Sequence, residues 1–142
     1  MQFGYHTIKT LGSTQTVIAL SPGEAEYYGM VKGASVGLGI QAVLGDFGIP
    51  VDIELKSDAS AAISIASRTG LGKVRHIEVC QLWLQDKVKQ GKVNVHKVAT
   101  NDNVADAMTK HVSREVLGKH LVSTGQTTSS SRHCLAPGNM NC

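Results

Sequence analysis

The chain has 142 residues and a mass of 15.0 kDa; it is 42% hydrophobic, 18% charged and 4% aromatic, with a formal net charge of +3. That composition excludes a disordered acidic tail, a collagen-like repeat, a disulfide scaffold and a multi-domain polymerase. It leaves room for one domain whose core is built from Val, Ile, Leu, Ala and Met.

In chain order, residues 5–10 and 16–20 are β-rich runs joined by 11–15, a pattern that predicts a hairpin. Ser21, Pro22 and Gly23 break the second strand, and Glu24 and Glu26 open a helix predicted to reach about Asp46. Within it, Gly29, Gly33 and Gly37 are four apart, a spacing also used by membrane helices. Lys32 interrupts that stretch and acids flank it, so a helix lying close on a sheet is the reading taken, with no membrane span. Val51, Ile53 and Leu55 alternate with Asp52, Glu54 and Lys56, which predicts a half-buried strand ending at Ser57–Asp58. A short helix over 59–67, a loop over 68–73 and a helix over 74–90 follow, the last with Ile77, Leu84 and Val88 at helical spacing beside Trp83. Gly91 stops it, and Val93 and Val95 begin a strand running to about Thr100. Asn101 or Asp102 caps a final helix carrying Val104, Met108 and Val112 and fading near Leu117. Residues 123–142 read as a disordered tail after a domain over 1–122. The order β-β-α-β-α-α-β-α predicts an α/β fold, a mixed sheet with helices packed on it.

Charge is unevenly spread. Residues 1–67 hold three bases and six acids, whereas residues 68–97 hold seven bases against two acids. A local positive excess attracts phosphate backbones, which makes Arg68, Lys73, Arg75, Lys87, Lys89 and Lys92 candidate nucleic-acid contacts. A solvated helix face gives the same pattern without a partner. Cys80, Cys134 and Cys142 form no C-x-x-C pair, and with no secretory leader they point to a reducing, intracellular compartment. Cys80 reads as a small apolar residue on a helix.

Three acids hold positions that invite chemistry. Glu26 lies in the first turn after a strand, Asp58 at the carboxyl end of another, and Asp106 early in the last helix. Carboxylates from separate elements can converge on magnesium, which takes oxygen ligands and keeps several waters. Each also has a plain structural role: Glu26 complements the helix dipole, Asp58 caps the helix at Ala59, and Asp106 pairs with Lys110 at i+4.

Four collinear segments then carry a resemblance. QTVIALSPGEAEYYGMVKGAS resembles the copia-type pattern ALSSxEAEYxA, and ELKSDASAAISIA resembles SDNxAAIxLA. KVRHIEVCQLWLQDKVKQGKVNVHKVAT resembles TKHIEIRYHFIRDxVxxGxIxLxxVxT, and NDNVADAMTKHV resembles xxQxADxLTKxL. Together they cover about residues 6–117 and resemble the RNase H domain at the C-terminal end of a copia-type (Pseudoviridae) retrotransposon Pol polyprotein.

The resemblance implies an RNase H-like fold and hydrolysis of the RNA strand of RNA–DNA hybrids during reverse transcription. It implies four metal-binding acids holding Mg²⁺ or Mn²⁺, and a reverse transcriptase domain upstream in the parent polyprotein. By motif position, Glu26 (not Glu24), Asp58 and Asp106 become the catalytic metal ligands, and the basic span 68–97 becomes a hybrid-binding handle. His76 falls in the "HIE" of the pattern and is read as structural. The first family aspartate has no counterpart, because residues 1–23 contain no Asp or Glu. The expectation is therefore an N-terminally truncated domain without its first strand, with weak metal binding and impaired catalysis. The alternative is an inactive nucleic-acid-binding module or a pseudogene fragment of a retroelement.

Overall fold

The structure is a computed structural model, and it describes residues 1–15, 17–72, 77–108 and 110–126. Its longest element is α1, Pro22–Asp46. Ser21 caps it by accepting the Glu24 amide at 3.3 Å, and Pro22 occupies the first turn, where a missing N–H costs nothing. The Glu24 carboxylate reaches back to accept the Leu20 amide at 2.9 Å, so the Ser-x-x-Glu spacing closes both sides of the helix entrance. Tyr27, Met30, Val31 and Ala34 are buried at i, i+3, i+4 and i+7, one face of the helix.

That face packs on strand β3, Glu54–Ser57, and on helix α2, Ser60–Ser67. A Cβ built on Gly33 would stand 3.5 Å from Leu55 Cδ1, and one on Gly37 3.5 Å from Ile53 Cγ2. Gly33 and Gly37 thus bring helix backbone close to the strand segment, whereas Gly29, the third glycine of that spacing, faces open space. β3 pairs in parallel with β4, Asn94–Lys97, in the register Leu55↔Val95. The crossover between them carries α2 and helix α3, Trp83–Lys89, a βαβ-type connection. Tyr27, Leu84 and Val93 are fully buried where these elements meet.

Three expectations are corrected. The hairpin predicted over 5–10 and 16–20 is replaced by a smaller one, β1 (Gln2–Phe3) with β2 (His6–Thr7), turning at Gly4 with φ +59°. Residues 17–20 form no strand because they have no ladder partner among the described residues: Val17 and Ala19 lean on the core while Ile18 and Leu20 are 86% and 70% exposed. The helix predicted over 74–90 begins only at Trp83, after a 3-10 turn at Val79–Gln81. The Gln81 carbonyl accepts the Tyr27 hydroxyl at 2.8 Å, and the Gln85 amide turns to Leu82 instead, which sets the helix start. Cys80 is accordingly exposed on the 3-10 turn, not an apolar helix residue.

The final helix is displaced too. Residues 100–108 form two 3-10 turns, Thr100–Asp102 and Val104–Met108, and the helix itself, α4, is Arg114–Ser123. Asn103 lies between the turns and binds locally with its side chain, the known competitor of helix extension. Ser113 supplies the cap, accepting the Val116 amide at 3.3 Å. The end of α4 docks on the β1–β2 hairpin, where the Thr7 amide donates to the Thr124 carbonyl at 3.3 Å and Thr124 is buried. The disordered tail expected over 123–142 is thus corrected at its start, where 123–126 close α4 and dock on the hairpin, and its remainder, 127–142, lies outside the described residues. The whole is a mixed α/β arrangement with two two-stranded sheets, and among the described residues no helix is long and apolar enough to cross a membrane.

Candidate functional site

Strand β3 delivers Ser57 and Asp58 to its carboxyl end. Ser57, not Asp58, shapes the turn into α2: it is buried and its hydroxyl accepts the Ala59 amide at 3.2 Å. Ala59 is the N-cap of α2, with no side-chain cap bond. The capping role expected of Asp58 is therefore not used, and its carboxylate faces elsewhere.

It faces Asn103. The Asn103 Nδ2 amino group donates to Asp58 Oδ1 at 3.1 Å and to Asp106 Oδ1 at 3.1 Å. Its Oδ1 accepts the Ala105 amide at 3.3 Å, which fixes which end of the side-chain amide points at the acids. One amino group thus ties together carboxylates more than forty residues apart in sequence. The two oxygens stand no further apart than the sum of those bonds.

Asp106 Oδ2 forms an ion pair with Lys110 Nζ at 2.9 Å, the i+4 pairing read from the sequence. The Asp106 side chain is only 13% exposed, whereas that of Lys110 is 58% exposed. The Lys110 ammonium is held above its ordinary pKa, first by the Asp106 hydrogen bond, against some desolvation, and then by the charges of Asp106, Asp58 and Glu26. The three candidate acids, contributed by α1, the end of β3 and the second 3-10 turn, therefore all act on one ammonium. Glu26 is exposed, while Glu24 is buried and bound at the helix entrance.

The oxygen donors are of the kind that magnesium or manganese takes. Their arrangement does not fit such an ion: the inner oxygens are engaged by Asn103 and Lys110, and among the described residues no group of three His, Cys, Asp or Glu side chains is placed to hold a metal.

The basic candidates separate. Arg68 is half-buried and donates from Nη2 to the Leu71 carbonyl at 2.6 Å, folded onto its own loop. Lys73, Arg75 and His76 lie outside the described residues. Lys87 and Lys89 occupy the last turn of α3, and Lys92 follows the positive-φ Gly91 that reverses the chain toward β4, so these three lie close together along the chain. Cys80 donates from Sγ to Glu78 Oε2 at 3.3 Å, a hydrogen bond that, with some desolvation and the Glu78 charge behind it, pushes its thiol up. Asn103 is the residue whose role sequence reasoning misses. Its signal is the Asn-x-x-Asp spacing to Asp106, which places a short amide one turn from a carboxylate.

Comparison with known proteins adds a family context. The chain is 28% identical over 115 residues to the retrovirus-related Pol polyprotein from transposon TNT 1-94 of Nicotiana tabacum, covering 75% of this chain and 9% of that protein. It is 25% identical over 127 residues to the corresponding polyprotein from transposon RE1 of Arabidopsis thaliana, covering 87% of this chain and 9% of the relative. A third polyprotein, from transposon RE2 of Arabidopsis thaliana, is 26% identical over 114 residues. The chain thus spans under a tenth of the length of the relatives it matches. No protein-family model matches, and neither does any solved structure. These are weak homologies to retrovirus-related Pol polyproteins of plant transposons, and they support a retroelement-derived protein.

Proposed function

We propose, from a chain similar over most of its length to transposon Pol polyproteins, that it is the copia-type RNase H segment of such a polyprotein, with the RNase H-like fold as its ancestry. The supporting observation is the joining of Asp58 and Asp106 through one Asn103 amino group, with Glu26 acting on the same ammonium as both. Those are the three acids that the motif resemblance singles out, and they come from three separate elements. The ligand is an RNA–DNA hybrid. Its phosphates are contacted by Lys87, Lys89 and Lys92, with Lys73 and Arg75 from the preceding segment completing the basic span.

In this reading the 142 residues bind a hybrid and cleave it little or not at all. They carry three of the family's four acids, and the inner carboxylate oxygens of two are engaged by the chain's own nitrogen donors. The alternative of an inactive nucleic-acid-binding module is favoured by the same engagement and differs only in whether any metal-dependent cleavage survives. Fluorescence anisotropy with labelled RNA–DNA hybrid, competed by duplex DNA and duplex RNA, tests the reading. Tight binding with the hybrid as the best competitor is expected. Equal competition by all three duplexes, or no binding at low salt, overturns it.

A further inference from the structure

The acid cluster suits a divalent ion by chemistry and excludes one by occupancy. Asp58 Oδ1 and Asp106 Oδ1 each accept from Asn103 Nδ2, and Asp106 Oδ2 accepts from Lys110 Nζ. Magnesium bonds oxygen at about 2.0–2.1 Å, so an ammonium 2.9 Å from Asp106 Oδ2 stands beside any ion that oxygen would hold. Two cations at that separation repel strongly, more so beside a carboxylate that is largely out of water. From this disagreement between donor set and geometry, we infer that the Lys110 ammonium is the resident cation of the Asp58–Asp106 cluster, and that Lys110 and a divalent ion are alternative occupants of it.

The ammonium answers the charge of the cluster as a metal would. It neutralises Asp106 directly, 2.9 Å from Oδ2, while Asn103 ties that carboxylate to Asp58. Its side chain is more than half exposed, on a flexible four-carbon stem. Swinging outward therefore breaks one ion pair and disturbs no packed core. Asn103, by contrast, is fixed by the Ala105 amide and stays with the carboxylates. Lysine exchange is the step that would open the cluster, and it makes metal loading a competition within the chain. This deepens the proposed reading, on which the expectation of a metal rests, but the exchange itself is a property of the free protein.

The test is calorimetric titration of the full chain with MgCl₂, and with MnCl₂ as a second probe, at constant ionic strength. Lys110→Met is expected to bind about ten-fold more tightly than the wild type, the size of effect that neighbours of metal ligands commonly exert. Lys110→Arg, which keeps the charge, should stay at the wild-type affinity. Asp58→Asn added to Lys110→Met should abolish the gain, placing it at this cluster. Lys110→Gln repeats the charge removal with a polar side chain, and circular dichroism checks that each variant keeps the helical content of the wild type. Unchanged affinity in both Lys110→Met and Lys110→Gln overturns the inference, as does a gain that survives Asp58→Asn. Hybrid binding is measured separately, so a chain that fails to bind hybrid yet shows the exchange sinks only the functional reading.

Discussion

Asn103 decides whether Asp58 and Asp106 behave as one cluster. Its single amino group answers both carboxylates, and without it that bridge between the two negative charges is lost. Asn103→Ala is expected to cost about 1–3 kcal/mol, the range for leaving hydrogen-bonded polar groups without their partner, read as a lowered urea midpoint. Asn103→Asp should cost more, because it adds a third negative charge where a donor stood. Tyr27 gives a second prediction at this scale. Burial, with a smaller push from Tyr28 and an opposing pull from Arg68, raises its hydroxyl pKa from 10.0 to about 12. A raised native pKa means that the folded state holds the proton more tightly than the unfolded chain does. This contribution to stability is therefore complete below pH 10.0 and is lost as pH rises toward about 12. Tyr27→Phe loses the bond to Gln81 at every pH, at a cost of about 1 kcal/mol, and should flatten the alkaline fall expected in urea midpoints of the wild type.

Among the elements, the glycines of α1 separate by what stands opposite them. A Cβ on Gly23 would sit 2.8 Å from Ala61 Cβ, a short side chain that cannot swing away, so Gly23→Ala must push α1 from α2. The expected loss is about 1–3 kcal/mol, typical of overpacking. Gly29 faces open space, and Gly29→Ala should stabilise the protein by up to about 1 kcal/mol through helix propensity alone. Thermal melts of the two variants in opposite directions would check the close approach of α1 to its neighbours. These local features were legible in the sequence: the break at Ser21–Gly23 with a helix opening behind it, the length of α1, the β3 alternation ending at Ser57–Asp58, and α2. What was hidden were elements whose ends are set by distant partners. Nothing near Gln81 announces that the Tyr27 hydroxyl takes its carbonyl, and nothing near Asn103 announces Asp58. The acids themselves could be picked out from sequence, but their linkage through an amide could not, because it spans from β3 to the chain beyond β4.

Across the molecule as a whole, the charge asymmetry resolves into an acidic and a basic region. Asp58 and Asp106 meet where β3 ends, whereas Lys87, Lys89 and Lys92 lie at the end of α3 and in the turn that leads to the start of β4. Binding of a hybrid through those lysines must weaken steeply with salt, since each neutralised phosphate releases counterions. Replacing Lys87, Lys89 and Lys92 by Ala should flatten the logarithmic salt slope by roughly 0.9 for each phosphate that is no longer neutralised. Anisotropy titrations at several salt concentrations read this directly.

Cleavage of an end-labelled RNA–DNA hybrid by the 142 residues in the presence of Mg²⁺, compared with Asp58→Asn, bears most directly on whether the acid cluster is a nuclease site. The expected result is that the hybrid is bound and that RNA cleavage by the wild type does not rise above that of Asp58→Asn. Robust cleavage that disappears in Asp58→Asn would refute this, by showing that three acids with Lys110 among them already form a working nuclease site.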